Sequence, residues 1–159
     1  MRFVRLLAIG LALAMMSSGC ASEPTLDKAA AELQKDTQRL ETDDVFKNPL
    51  NKLRILQRPD KDIPCGKGRF NRILRATADY ERVNEPLNAH LDRAQTLMEN
   101  TLARVLGYKL DFDFGKVETD DGRFIYATKS DPNIKIVVYV APEAPTWRLY
   151  AVTACLSRQ

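Results

Sequence analysis

Histidine is scarce in this chain, which contains one, His90, among 159 residues. A histidine-based metal cluster needs several imidazoles, and a Ser-His-Asp relay needs one placed beside a nucleophile. His90 lies near Leu87 and Leu91 in a helical pattern, so we interpret it as structural. A phosphate-binding loop is also missing, because "CGKG" at 65–68 has neither the length nor the Lys-Ser/Thr ending of that motif.

A long apolar run and a strong net charge are missing as well. No stretch reaches the ~20 apolar residues that a membrane-spanning helix needs. Lysine and arginine total 24 against 21 aspartates and glutamates, a formal net charge of +3. Cleavage of an export signal would remove Arg2 and Arg5 and leave 22 basic against 21 acidic residues, a formal net charge of +1. This balance argues against a nucleic-acid partner.

The N-terminus has the three parts of an export signal. Arg2 and Arg5 form a basic head, residues 6–16 are apolar and residues 17–19 are small. The apolar part is too short to cross a bilayer. We therefore predict that the mature protein lies outside the cytoplasm.

The stretch Ser17-Ser18-Gly19-Cys20 resembles the bacterial lipoprotein signal, in which small residues run directly into a cysteine. Ser17 stands where that family usually has a large aliphatic residue. The resemblance implies that residues 1–19 are a removable signal peptide and that Cys20 receives a diacylglyceryl group and becomes N-terminal. Two long acyl chains make such an anchor effectively permanent. Residues 20–24 would then tether the protein to the extracytoplasmic face of the cell membrane.

Of the three cysteines of the chain, one would then carry lipid and two would be left to pair. With Cys20 lipidated, Cys65 and Cys155 remain, and an oxidising compartment favours a disulfide between them. A reactive pair is the alternative, but their spacing is not Cys-x-x-Cys. We predict a structural bond.

The N-terminal part of the mature chain, residues 25–64, has two patterns. Helical spacing predicts a helix over residues 25–42 with Thr25 as its N-cap, and its narrow apolar stripe leaves open whether it packs on the domain or forms a stalk. Residues 43–64 contain three prolines and predict an irregular basic strap or short helix. The basic residues of this strap are Lys52, Arg54, Arg58 and Lys61.

Residues 65–159 predict an α+β domain. Residues 69–81 alternate like a strand, with Leu74, Ala76 and Ala78 on the dry face. Asn84 is the expected N-cap of a long apolar helix that ends at Gly107. Four strands joined by short turns follow, at Lys109 to Lys116, Arg123 to Thr128, Ile134 to Ala141 and Trp147 to Leu156.

This element order predicts an antiparallel sheet of about five strands, strand-helix-strand-strand-strand-strand, packed on one main helix, with an extra N-terminal helix. The alternating strand directions place Cys65 and Cys155 at the same end of the sheet, as a disulfide requires. Antiparallel pairing of the first and last strands is the simplest arrangement. From Cys65 onward, "IPCGKG" and "TACL" are similar to small actinomycete lipoproteins of unknown function, a resemblance that implies no activity.

Two groups of residues are candidates for chemistry or binding. Asp111 and Asp113 share one side of a predicted strand and Asp120 and Asp121 lie in the next turn, which is compatible with calcium binding or glycoside hydrolysis, although the wet side of a strand explains them fully. The possible binding surface consists of Arg69, Arg75, Tyr139 and Tyr150.

We expect a membrane-anchored, noncatalytic binding or interaction module without a metal or cofactor. Its partner would be an envelope protein or an anionic surface polymer, besides the membrane that holds the anchor. The alternative is a secreted, non-lipidated binding or inhibitor protein, which would follow if signal peptidase recognises Gly19 and Ala21 and cuts after Ala21. A hydrolase that uses the aspartates is the third hypothesis.

Overall fold

The computed structural model describes residues 24–112 and 122–158. In these ranges the chain forms a six-stranded antiparallel sheet with the order β1-β4-β8-β7-β6-β5 and a separate two-stranded hairpin, β2–β3. The helices are α1 (Leu26–Thr42), α2 (Asp44–Lys47) and α3 (Leu87–Asn100), and a 3₁₀ turn covers Pro49–Asn51. The strands are β1 (Arg54–Gln57), β2 (Ile63–Gly66), β3 (Arg69–Asn71), β4 (Ile73–Ala78), β5 (Lys109–Asp111), β6 (Arg123–Lys129), β7 (Ile134–Val140) and β8 (Trp147–Thr153).

The predicted α+β class is therefore confirmed, and so is the helix at its N-terminal end. The Thr25 side chain accepts a hydrogen bond from the Lys28 amide and caps α1. Leu33 and Leu40 of α1 are fully buried in the same core as α3 and the sheet, and α1 contacts β8. The first helix is thus an integral part of the domain rather than a stalk. None of the described helices is both long and apolar enough to cross a bilayer.

The main helix differs from the prediction at both ends. Its cap position is Pro86, and no side chain caps it, so the expected N-cap at Asn84 is wrong. At the other end, α3 continues into a π-helical turn, Thr101–Val105. Residues within this wider turn depart from α-helical spacing, and Val105, the last of them, is 41% exposed. Gly107 ends the segment at φ 75°, as predicted.

The prediction missed two features of the sheet. The basic strap contains a real edge strand, β1, which pairs with β4, so the sheet has six strands instead of about five. The long strand expected over residues 69–81 is interrupted at Arg72, whose amide donates to Thr153 Oγ1 at 3.0 Å. The part before Arg72 belongs to the hairpin and not to the main sheet.

Both predicted links between the beginning and the end of the domain are present, the antiparallel strand pairing and the disulfide. β4 and β8 pair antiparallel from Ile73 opposite Val152 to Ala78 opposite Trp147. Cys65 and Cys155 form a disulfide with their Cα atoms 5.8 Å apart. This bond fastens the hairpin to the segment that follows β8.

A buried ionic cluster joins α1 to the sheet. Asp36 is completely buried and accepts hydrogen bonds from Lys129 Nζ and from the Tyr108 hydroxyl, each 2.7 to 2.8 Å long. Burial, and then the negative charge of Asp36, raise the pKa of Tyr108 well above its usual value. A hydrogen bond from Lys129 lowers the pKa of Glu32. The stripe of α1 is narrow because Asp36 and Thr37, both buried, take two of its positions.

Candidate binding face

Among the described residues, the helices cover one side of the sheet and the core lies between them and that side. In β8, Trp147, Leu149 and Ala151 are buried under the helices, whereas Arg148 and Tyr150 point the other way and are exposed. The same alternation continues through β4, β6 and β7. We call the side opposite α1 and α3 the open face.

The strand register brings basic and aromatic side chains of the open face into two adjacent rows. The first row crosses the sheet through Arg75, Tyr150, Val137 and Tyr126, which are successive cross-strand partners. The second row, displaced by two residues in every strand, consists of Thr77, Arg148, Tyr139 and Phe124. Tyr139 and Tyr150 are therefore diagonal neighbours on adjacent strands, within reach of a single partner.

The rings of the second row pack against each other. The Phe124 and Tyr139 centroids are 4.8 Å apart, and the Arg148 guanidinium lies 5.6 Å from the Tyr139 centroid, a favourable cation–π distance. Tyr150 is 40% exposed and Phe124 36% exposed. The face thus presents preformed aromatic surface with guanidinium groups among the rings.

Gly122 allows the main chain to lie directly against the Tyr139 ring. A Cβ atom at this position would lie 2.6 Å from the Tyr139 ring and 2.6 Å from the Val140 carbonyl oxygen. Only glycine lets the chain pass this closely under the ring. The Tyr139 ring is therefore backed by main chain and keeps a defined position.

Within the described strands, the open face has five cations and one carboxylate, Asp111; the cations are Arg54, Arg75, Lys109, Lys135 and Arg148. Across the described parts of the chain, neither Arg75 nor Lys135, both exposed, has a hydrogen-bond or ion-pair partner. Arg148 lies 3.9 Å from Glu143; this contact between exposed groups is weak. A ligand that brings carboxylates to this face would meet guanidinium and ammonium groups that are available to it.

The structure brings together three of the four residues predicted as a binding surface. Arg75, Tyr139 and Tyr150 lie side by side on the open face, whereas Arg69 belongs to the β2–β3 hairpin and not to the sheet that contains Arg75. The prediction omitted Phe124, Tyr126 and Arg148. Strand alternation was the available signal, because each of these residues directly follows or precedes a position with a buried apolar side chain.

The other sequence candidates have different outcomes. Cys20 lies outside the described residues, as do Asp113, Asp120 and Asp121. Asp111 is half-buried at the end of β5, opposite Tyr126. No group of three or more histidine, cysteine, aspartate or glutamate side chains in residues 24–112 and 122–158 is arranged to hold a metal ion.

His90 is buried, as its structural interpretation requires. Its ring stacks on Tyr80 with the centroids 5.5 Å apart, and Tyr80 packs in turn on Trp147 at 5.2 Å. The Trp147 indole N–H donates to the Ala94 carbonyl of α3 at 3.1 Å. The histidine is therefore part of the aromatic contact between α3 and the sheet.

Comparison of the chain with protein-family models, with curated proteins and with solved structures finds no match.

Proposed function

We propose that this protein is a noncatalytic binding module held on the extracytoplasmic face of the cell membrane by a diacylglyceryl group on Cys20. Its open face would bind an acidic surface of another envelope protein. The observation that carries the binding proposal is the group formed by Arg75, Tyr150, Tyr139 and Arg148, contiguous on an exposed sheet face that no described helix covers.

The composition of this face favours a protein partner. Tyrosine and arginine dominate the energetic centres of protein interfaces, because they offer large contact area and directional donors. Val137, half-buried in the first row, adds apolar surface at the centre, while Arg75 and Lys135 supply charge around it. Rings already fixed by packing lose little conformational entropy on binding. The excess of cations predicts that the partner surface is acidic.

The anchor proposal is supported by the order of the N-terminal residues. A basic head, an apolar run and small residues precede Cys20, as in the lipoprotein signals that this stretch resembles. α1 begins at Leu26 and packs on the domain along its length. Only a few residues therefore separate the proposed lipid from the folded body.

We expect that the mature protein, made in a bacterium with lipoprotein-processing enzymes, begins at Cys20 and carries a diacylglyceryl adduct. Intact-mass analysis of the N-terminal peptide measures this directly. The Cys20→Ser protein should lack the adduct. It should also be absent from the membrane fraction in which detergent extracts the wild type. A chain that begins at Ser22 without lipid would instead support the secreted, non-lipidated binding or inhibitor protein.

The binding proposal is tested by a photoreactive amino acid in place of Tyr150 in the native envelope. We expect a discrete protein adduct whose yield falls at least about tenfold in Arg75→Glu/Arg148→Glu, because like charges then face the acidic partner. The same probe at Gln38, exposed on α1, should give no such adduct.

The matched charge control is Lys47→Glu/Lys52→Glu, which makes the same change in net charge at exposed sites on α2 and between the 3₁₀ turn and β1. This variant should keep the wild-type adduct. Equal adducts at positions 38 and 150 would show that the open face is not the interface. An adduct of heterogeneous size that cell-wall hydrolases shorten would show that the partner is an anionic surface polymer and not a protein.

A further inference from the structure

The hairpin and the start of α1 lie at the same end of the molecule. The Leu26 amide donates to the Ser157 carbonyl at 2.9 Å. The preceding residue, Leu156, exchanges two backbone hydrogen bonds with Phe70 of β3, 2.8 and 2.9 Å long. We call this end of the sheet, where α1 begins and β8 ends, the N-terminal pole. The disulfide between Cys65 and Cys155 holds the hairpin to it a second time.

The tip of the hairpin is exposed and basic. Residues 64–69 are all exposed, and they include Lys67 and Arg69 but no acidic residue. Neither cation has a hydrogen-bond or ion-pair partner among the residues for which the structure gives positions. The β2–β3 hairpin, which carries these unpaired cations, contributes little to the main core.

The carboxylates near the hairpin are mostly engaged elsewhere. Asp62 pairs with Arg72 and Arg158, and Asp131 pairs with Lys28. Among the described residues of this pole, the cations outnumber the carboxylates: Lys28, Lys61, Lys67, Arg69, Arg72 and Arg158 against Asp27, Asp60, Asp62 and Asp131. The pole is therefore positive, and its unpaired cations at the hairpin tip project from it.

The proposed anchor places this pole next to the membrane. Cys20 and Thr25 are five residues apart in sequence, and five residues span at most about 17 Å when fully extended. The rigid body that begins at Leu26 cannot lie further from the lipid than this tether allows. Of the two ends of the sheet, only the N-terminal pole satisfies this limit directly.

We propose that the β2–β3 hairpin is a second membrane contact, in which Lys67 and Arg69 bind the anionic headgroups of the lipid leaflet that holds the anchor. This inference rests on the proposed lipidation of Cys20. One acyl anchor leaves the body free to rotate, whereas two points of contact fix its orientation. The strands then point away from the membrane surface. The open face stands perpendicular to the membrane plane and faces neighbouring envelope proteins.

Hydrogen exchange of the mature lipidated protein in vesicles tests this contact. The vesicles contain phosphatidylcholine alone or phosphatidylcholine with phosphatidylglycerol. We expect slower exchange of amides in residues 63–71 on the anionic vesicles than on the neutral ones. The difference should disappear in Lys67→Glu/Arg69→Glu and persist in Lys47→Glu/Lys52→Glu. High salt should also remove it.

A second measurement does not depend on the acyl chains. Protein that lacks the adduct, added from solution, should partition onto anionic vesicles at least about 25-fold better than the Lys67→Glu/Arg69→Glu variant, since loss of each basic residue near a charged surface costs about fivefold and each new glutamate is also repelled. Equal partition of the two proteins, or equal exchange on the two kinds of vesicle, would overturn the hairpin contact. A mature chain without lipid would overturn the anchor alone, because partition reports on the hairpin independently.

Discussion

Removing the Cys65–Cys155 disulfide should lower the free energy of unfolding by about 4 kcal/mol. The two cysteines are 90 residues apart in sequence, so the bond closes a loop that contains β3 to β8 and α3. A cross-link over a loop of this length removes much conformational entropy from the unfolded chain. Since small domains are stable by about 5–15 kcal/mol in total, this loss is a large fraction of the stability of the domain.

Urea denaturation of Cys65→Ser/Cys155→Ser and of the oxidised wild type measures the effect. The double variant avoids a lone thiol. Reducing the wild type should give the same loss, and reductant should leave the variant unchanged. The dependence of the free energy on urea should also steepen, because the uncross-linked unfolded chain exposes more surface. A loss below about 1 kcal/mol would contradict the assignment of the bond as the main constraint on the unfolded chain.

The fold class was predictable because long elements carry a repeated signal. In β7 and β8 every second residue over seven positions is buried and the residues between them are more accessible, and α3 presents an apolar stripe over several turns. Such patterns average over local exceptions. The strand directions that follow from short connections then predicted the pairing of β4 with β8, which the register confirms.

Short elements were not predictable for the converse reason. β1 is four residues long and places Ile55 against the core, so its pattern is too short to distinguish a strand from an irregular strap. The interruption at Arg72 is also invisible to periodicity. Phe70 and Leu74 keep the same phase on both sides of it, although they belong to different sheets.

The side of a strand on which a candidate residue lies was predictable, but the surface that these residues form together was not. Alternation predicts that Arg75, Tyr139 and Tyr150 point away from buried neighbours. Their proximity depends on register between strands that are far apart in sequence, and periodicity within one strand contains no information about register. Arg69 shows the consequence, because it has the same phase as Arg75 and lies in a different sheet.

The buried cluster was missed although one signal was available. Asp36 lies between Leu33 and Leu40 on the apolar stripe of α1, and a carboxylate at such a position needs a buried partner. The partner is Lys129, 93 residues later in the chain. Its position in sequence could not be inferred from α1, since β6 meets α1 only in the folded molecule.

Replacing Lys129 by methionine should lower the free energy of unfolding by about 3–5 kcal/mol, because it leaves a buried carboxylate without its cation. Lys129 Nζ donates to both oxygens of Asp36, at 2.8 and 2.7 Å, and to Glu32 at 2.8 Å. Arg39 is a poor substitute, since it is 3.9 Å from Asp36 and 41% exposed.

Two further variants separate the buried charge from other effects. Lys47→Met breaks an exposed pair with Asp44 at the same 2.8 Å distance and should cost less than about 1 kcal/mol. Asp36→Leu/Tyr108→Phe/Lys129→Met removes the buried polar groups together and should stay within about 2 kcal/mol of the wild type, because apolar replacement of a complete buried pair is often neutral. Urea denaturation compares all of them.

The acid side of the stability curve gives an independent test of the same cluster. The hydrogen bond from Lys129 lowers the pKa of Glu32 below 4.5. A carboxyl group whose pKa is lowered in the folded state contributes stability at pH values above its unfolded pKa and loses it as the pH falls through the lowered value. The wild type should therefore lose stability more steeply below about pH 4.5 than Lys129→Met does. Equal slopes, or a loss for Lys129→Met no larger than for Lys47→Met, would contradict the role of Lys129 as the cation that fastens α1 to the sheet.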